Sequence, residues 1–276
     1  VKLKSLVQDP MALMGMLLLV VVLGVALLAP WIAPHDPVLM NTEHRLEKPS
    51  AMYYLGTDHL GRCILSRIMY GARVSLGISF VVLVMIMFLG ILVGTIAGYA
   101  GGKTDYVIVG VIDVLLAFPG LILALVIAGM LGPSITNVMI AMASVQWVGY
   151  ARIIRGMVAS VKEKEYVQAA RSGGSKHFPL IWRHILPNVL SPVIVLATLD
   201  MGSTILAISG MSFLGLGAQP PNPEWGAMLN DGLPYMYMAP WVMIFPGLAI
   251  LITVLAFNLM GDGLRDFFDP RQVRKI

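Results

Sequence analysis

The chain has 276 residues, 58% of them hydrophobic and 12% charged, where a soluble globular domain carries about 25% charged residues. So sparse and clustered a charge set cannot cover a protein of this size in water, which excludes an ordinary soluble domain. The net charge of +4 fits either nucleic acid or membrane topology, and the position of the basic residues at the ends of apolar runs excludes the first.

A hydrocarbon core about 30 Å thick takes roughly 20 apolar residues at 1.5 Å rise each. Met11 to Ile32 is a charge-free run of that length behind Lys2 and Lys4. It is longer than a signal-peptide core of about 7–15 residues, so a retained first span, with residues 1–33 entering from the cytoplasm, is expected. Residues 34–73 are polar and broken by Pro34, Pro37 and Pro49, and read as an external connecting loop. Val74 to Tyr99 gives a second span, closed by Gly98, Gly101 and Gly102. Tyr106 to Met130 gives a third, interrupted at Phe118-Pro119-Gly120. After the turn Gly132-Pro133-Ser134, Ile135 to Val158 is the fourth, with Arg152 and Arg155 at its end. Lys162 to His184 is strongly polar. Asn188 to Phe213 is the fifth span, and Trp241 to Met260 the sixth, with a kink or break expected at Pro246-Gly247. The expectation is an all-α polytopic membrane protein of six transmembrane helices, a five-helix core over 74–262 and a charged cytoplasmic tail at 263–276.

Charge placement orients these spans. Segments expected inside hold 14 Lys and Arg residues and those outside hold five, all in 34–73. The bias places both termini in the cytoplasm. Asp36, Glu43, Glu47 and Asp58 are the local acids available to the five external cations.

The polar segment between the fourth and fifth spans reads Glu165-Tyr166-Val167-Gln168-Ala169-Ala170-Arg171-Ser172-Gly173-Gly174, then Arg183-His184-Ile185-Leu186-Pro187-Asn188. Helix formers, a glycine break and a second helical start ending at Pro187 predict a cytoplasmic knob joined to two spans. Ala169 and Ala170 permit close approach of a partner, and Gly174 permits a turn that a Cβ would resist. An ordinary amphipathic loop is the other reading of these residues.

This stretch resembles the EAA loop of ABC-importer permeases, whose coupling helix docks into a cleft on the ATPase subunit. Leu55 to Arg62, Tyr70 to Leu76, Ser212 to Gly217, Glu224-Trp225-Gly226 and Asn258 to Pro270 are similar to the dipeptide, oligopeptide and nickel branch. Ser175 stands where alanine is expected. The resemblance implies a type I importer permease fold with a coupling loop at 159–187. It also implies that Glu165, Tyr166, Ala169, Ala170, Arg171, Gly174, Leu186 and Pro187 form the ATPase-coupling surface. A bacterial inner-membrane location follows, with lipid around the spans. Implied partners are a second homologous permease, two ATPases that bind ATP and Mg, and an extracytoplasmic binding protein delivering peptide or nickel.

The sequence holds no GxxxxGK[ST] loop, so ATP hydrolysis is expected on another chain and no catalytic residue or cofactor is assigned here. The five histidines and the single Cys63 offer no metal-ligand spacing, and most of the 19 methionines sit singly on apolar spans as packing residues. Asp113 and Asp200 fall within spans, where a carboxylate is expensive and faces a pore or a partner. Asp200 either meets a cationic cargo or packs against the second permease; Asp113 either lines the pathway or steadies the backbone near Pro119. An ion-coupled secondary transporter is the alternative, and it would leave the cytoplasmic knob without a role.

Overall fold

In lipid each backbone polar group must be satisfied within the chain, which leaves helices as the solution for long apolar runs. The computed structural model describes residues 10–268. The expected cytoplasmic residues Lys2 and Lys4 and the last part of the tail, 269–276, lie outside them. The described residues hold α1 (Pro10–Ile32), α2 (Ile64–Ala100), α3 (Gly102–Leu116), α4 (Gly120–Leu131) and α5 (Ile135–Lys162). There follow α6 (Glu165–Ser172), α7 (His177–Leu180), a π-helical turn (Ile181–Ile185), α8 (Leu186–Phe213), α9 (Trp225–Gly232) and α10 (Trp241–Phe268). An isolated bridge between Thr57 and Cys63 is the only β-pairing among the described residues.

Four helical stretches are long and apolar enough to cross a membrane: Pro10–Ile32, Ile64–Ala100, His177–Phe213 and Trp241–Leu264. A fifth arises if α3 and α4, bent by 83° at the expected Phe118-Pro119 interruption, count as one. The expected fourth span, α5, has 28 residues, ample for about 42 Å, and is more polar than the others through Asn137, Gln146, Arg152 and Arg155.

Three sequence expectations change. The connecting segment stops at Cys63 instead of residue 73, because Ile64–Ala100 is one helix whose polar Ser66 and Arg67 are buried inside the protein. The helix expected to end at Pro187 continues through it. A proline has no N–H to give, and the π turn before it adjusts the register, with Leu186 N–H bonded to Ile181 O, five residues back. Likewise α10 runs through Pro246 unbroken. That proline sits in the second turn, where its missing N–H costs a single bond close to a helix end.

The chain divides into two compact units. In the first (1–81, 127–140 and 198–276), α1 lays a stripe of Ala12, Gly15 and Leu19 along α10. A Cβ on Gly15 would stand 2.6 Å from Met260 N, so the two backbones are in near contact. The opposite face of α1, with Leu17, Val20, Leu27 and Trp31, is exposed, as a lipid-facing span requires. In the second unit (82–126 and 141–197), Ile112, Val148 and Ala151 form a core with Val93, Ile108, Leu115 and Trp147. Gly90, Gly94 and Gly98 recur every fourth residue on α2, and α5 lies over them. A Cβ on Gly94 would be 2.7 Å from Ala151 O, and one on Gly98 2.6 Å from Arg155 O. Such small-residue rows let spans pack by van der Waals contact where no hydrophobic drive exists between helices in lipid.

Candidate functional site

The knob begins where Lys164, extended at ψ 142, starts α6. Glu165 in the first turn and Arg171 in the last both complement the helix dipole. The end is a Schellman closure: Gly174 N–H bonds Arg171 O at 3.1 Å and Ser175 N–H bonds Ala170 O at 3.1 Å. Gly174 reaches this geometry at φ +86, in the left-handed region where a side chain is strained. The closure uses the main chain of Ser175, so a serine serves there as an alanine would.

Buried Val167, Leu180 and Ile185 hold the knob together from within. It is tied to the end of α2 at Tyr99, whose hydroxyl meets His177 Nδ1 at 2.6 Å. Lys162 Nζ donates to Tyr99 O at 3.1 Å and lies 5.9 Å from the centre of its ring. Glu165, Tyr166, Ala169, Arg171 and Gly174 are exposed together on this knob, Ala170 is half-buried, and Leu186 is buried at its root beside exposed Pro187. Two exposed residues escaped the sequence reading. Phe178 and Trp182 stack with ring centres 6.4 Å apart and planes 5° from parallel. Their spacing of four on one helical face was the signal available.

Asp113 and Asp200 belong to the second and the first unit respectively. Asp113 on α3 pairs with Arg152 of α5, and one helical turn or two further along, Asp105 meets Arg155 in a two-pronged contact of 2.6 and 2.5 Å. Arg152 and Arg155 are therefore ion-paired across α3 and α5, and Asp113 compensates a cation instead of capping the backbone near Pro119. Asp200, in the first unit, is half-buried on α8, and its carbonyl accepts from Ser203 Oγ at 2.9 Å.

The motifs Leu55–Arg62, Tyr70–Leu76, Ser212–Gly217 and Glu224–Gly226 meet in the first unit. Asp58 builds the turn Asp58–Arg62 by accepting from Leu60 N–H at 2.9 Å and Arg62 N–H at 3.0 Å. Gly61, at φ +75, passes so close to Asn41 O that a Cβ has no room. The other carboxylate oxygen of Asp58 takes Arg62 Nε at 2.6 Å and lies 3.5 Å from Arg67 Nε. Asp231 on α9 closes the cluster at 3.2 Å from Arg62 and 4.0 Å from Arg67. Two of the five cations in 34–73 are thus buried and neutralised. Only Asp58 among the local acids serves them: Asp36 caps Val38 N–H at 2.8 Å and Glu47 meets His44 at 2.7 Å.

Beside this cluster, Glu224 caps α9, accepting from Gly226 N–H at 3.0 Å and Ala227 N–H at 2.8 Å. Ser75 of α2 donates to the same carboxylate at 3.2 Å. Burial pushes the Glu224 carboxyl above its ordinary value, against the opposing pull of those donors and of Ser212. Trp225 Nε1–H reaches Ile68 O at 3.1 Å over Gly71, where a Cβ would stand 2.9 Å from the indole. Asn230 Nδ2 donates to Phe213 O at 2.6 Å. The stretches Tyr70–Leu76, Ser212–Gly217 and Glu224–Gly226 are therefore parts of one interlock.

Comparison with known proteins gives a consistent set of matches. Residues 90–274 match the family model described as binding-protein-dependent transport system inner membrane component. Residues 3–49 match the N-terminal TM domain of oligopeptide transport permease C. The dipeptide transport system permease protein of Alkalihalophilus pseudofirmus is 42% identical over 97% of this chain and 88% of its own length. The nickel transport system permease protein of Escherichia coli K12 is 44% identical over 90% of each. A glutathione transport system permease protein of Pectobacterium atrosepticum is 41% identical over 97% of this chain and 89% of its own length. Among solved structures, an inward-facing methionine ABC transporter superposes with a TM-score of 0.58 at 16% identity, over 73% of this chain and 96% of that one. An amino acid ABC transporter gives 0.56 at 17% identity, over 71% and 91%. These two likenesses speak to the fold, which is that of an importer permease.

Proposed function

The chain belongs to the binding-protein-dependent transport system inner membrane component family, and from that premise we propose how it works as a permease subunit of an ATP-binding-cassette importer. The knob Glu165–Gly174 faces the cytoplasm and seats in the cleft of an ATPase subunit. The observation that carries this reading is the closed helical turn at Gly174, with Glu165, Tyr166, Ala169, Arg171 and Gly174 exposed, Val167, Leu180 and Ile185 buried, and Gln168 Nε2 bonded to Lys162 O at the end of α5. A rigid body held at both ends and at Tyr99 passes a displacement on to the spans instead of absorbing it.

Both termini are cytoplasmic in this reading, and six spans cross the inner membrane with α3 and α4 forming one broken span. A second homologous permease completes the pathway, and two ATPases bind ATP and Mg and carry out hydrolysis, so this chain is not itself an enzyme. ATP binding draws the coupling helices together and opens the cavity outward; hydrolysis returns it. The cargo, a di- or oligopeptide or nickel, free or chelated, arrives from an extracytoplasmic binding protein. Asp200 borders its path, while Asp113 serves its arginine.

Gly174→Leu tests the coupling role. The left-handed backbone at Gly174 makes this change locally strained by roughly 1–2 kcal/mol, too little to undo the membrane insertion of long apolar spans. Uptake should be abolished with the variant still inserted and carrying its partners. Parental uptake by an assembled Gly174→Leu importer would remove the coupling assignment.

A further inference from the structure

We infer that the exposed Phe178–Trp182 stack is a second contact with the ATPase subunit, an aromatic anchor seated in an apolar pocket with an acidic rim. This rests on the cytoplasmic coupling role proposed for the knob. Phe178 is 75% exposed and Trp182 64%, whereas Leu180 and Ile185 of the same helical stretch are buried. The stretch thus has an inner face that holds the knob and an outer face on which two large rings are left exposed.

Depth decides between lipid and protein as the occupant. Helix His177–Phe213 has 37 residues, about 55 Å, and an entire bilayer with its headgroups is roughly 40–45 Å thick. Its apolar part, Val189 to Phe213, already spans about 37 Å, more than the hydrocarbon core of about 30 Å. Trp182 lies a further 10 Å or so along the axis and Phe178 about 16 Å, while a headgroup layer is only about 5–8 Å deep. Both rings therefore stand beyond the lipid. An interfacial Trp belt would sit at the headgroups.

Charge sets the nature of the rim. Residues 162–184 carry Lys162, Lys164, Arg171, Lys176 and Arg183 against Glu163 and Glu165. The segment that carries the two rings is thus basic, with Lys176 and Arg183 near them in sequence; it calls for an apolar pocket bounded by acids, and buried aromatic anchors dominate interface energies. The surface is continuous in the chain with the coupling helix, three residues beyond Gly174 at the start of α7.

The test uses the complete importer, with its ATPases and second permease, reconstituted in lipid. A photoreactive benzoylphenylalanine in place of Trp182 should form an adduct with the ATPase; an adduct with lipid alone would overturn the inference. The double change Phe178→Ala and Trp182→Ala should weaken ATPase association about tenfold or more, and Trp182→Phe should retain most of it. Unchanged association in the double variant would also overturn it. Gly174→Leu, measured in parallel, separates the two readings: loss of uptake there with silent aromatic changes rejects this contact alone, whereas parental uptake there rejects the coupling role beneath it.

Discussion

Glu224 shows how a single buried carboxylate ties distant segments together and what that does to its proton. Desolvation raises its pKa above the ordinary 4.5, despite two backbone N–H groups and the Ser212 and Ser75 hydroxyls that favour the charged form. A raised acid in the folded state binds its proton more tightly than the unfolded chain does. Its contribution to stability is then full below about pH 4.5 and is lost as pH rises through the folded value. The unfolding midpoint of the solubilised protein should accordingly fall over that rise, and the fall should be smaller in Glu224→Gln. Parallel pH profiles for the two proteins would contradict the burial argument. None of this was legible beforehand, since Ser75 and Glu224 lie 149 positions apart and nothing in either local sequence names its partner. The same holds for Asp231, the acid that shares Arg62 and Arg67 with Asp58. Asp200, by contrast, was noticed from sequence because a carboxylate in an apolar run costs about 3 kcal/mol at the bilayer centre. If it meets a cationic cargo, Asp200→Asn should lower nickel uptake while assembly and basal ATPase activity stay at parental levels. Parental nickel uptake in an assembled variant would leave peptides as the better supported cargo.

At the level of elements the apolar runs were legible, because length and freedom from charge are what a span needs. Helix starts were less so: Ile64–Arg73 looked like part of the polar, proline-broken segment 34–73, and only the fold reveals that Ser66 and Arg67 are buried. Prolines misled for a related reason. The sequence states that Pro187 and Pro246 lack a donor, but not that a π turn or a position near the helix end will absorb the loss. The row Gly90, Gly94, Gly98 was in plain view and went unread, since its meaning depends on α5 lying across it. A side chain there must push two backbones apart. Gly94→Val should therefore destabilise the second unit by about 1–3 kcal/mol, the usual cost of overpacking. Gly110→Val on α3, where a Cβ meets open space, should cost far less. Thermal unfolding of the two purified variants compares them directly, and equal midpoints would deny the close α2–α5 contact.

For the whole molecule, the arrangement of buried charge bears on topology. Counted from sequence, the basic residues stand 14 to five in favour of cytoplasmic termini, with the five in 34–73 as the discordant group. Arg62 and Arg67 are 1% and 2% exposed and bound to Asp58 and Asp231, so their charges are balanced within the fold. The positive-inside bias concerns cations near span ends that hold a segment back from translocation. Setting those two aside leaves three, Arg45, Lys48 and Arg73, against the 14, a bias of the same sign as the proposed orientation. It predicts that Asn222, exposed after α8, lies outside the cell and that Lys176, exposed on the knob, lies inside. Asn222→Cys should react with an impermeant thiol reagent in intact cells, and Lys176→Cys should react only after permeabilisation. Cys63 is buried at 2% exposure and should contribute little background, which the unmodified protein measures in the same experiment. Labelling of Lys176→Cys in sealed cells would reverse the orientation and, with it, place the knob on the wrong side of the membrane to meet an ATPase.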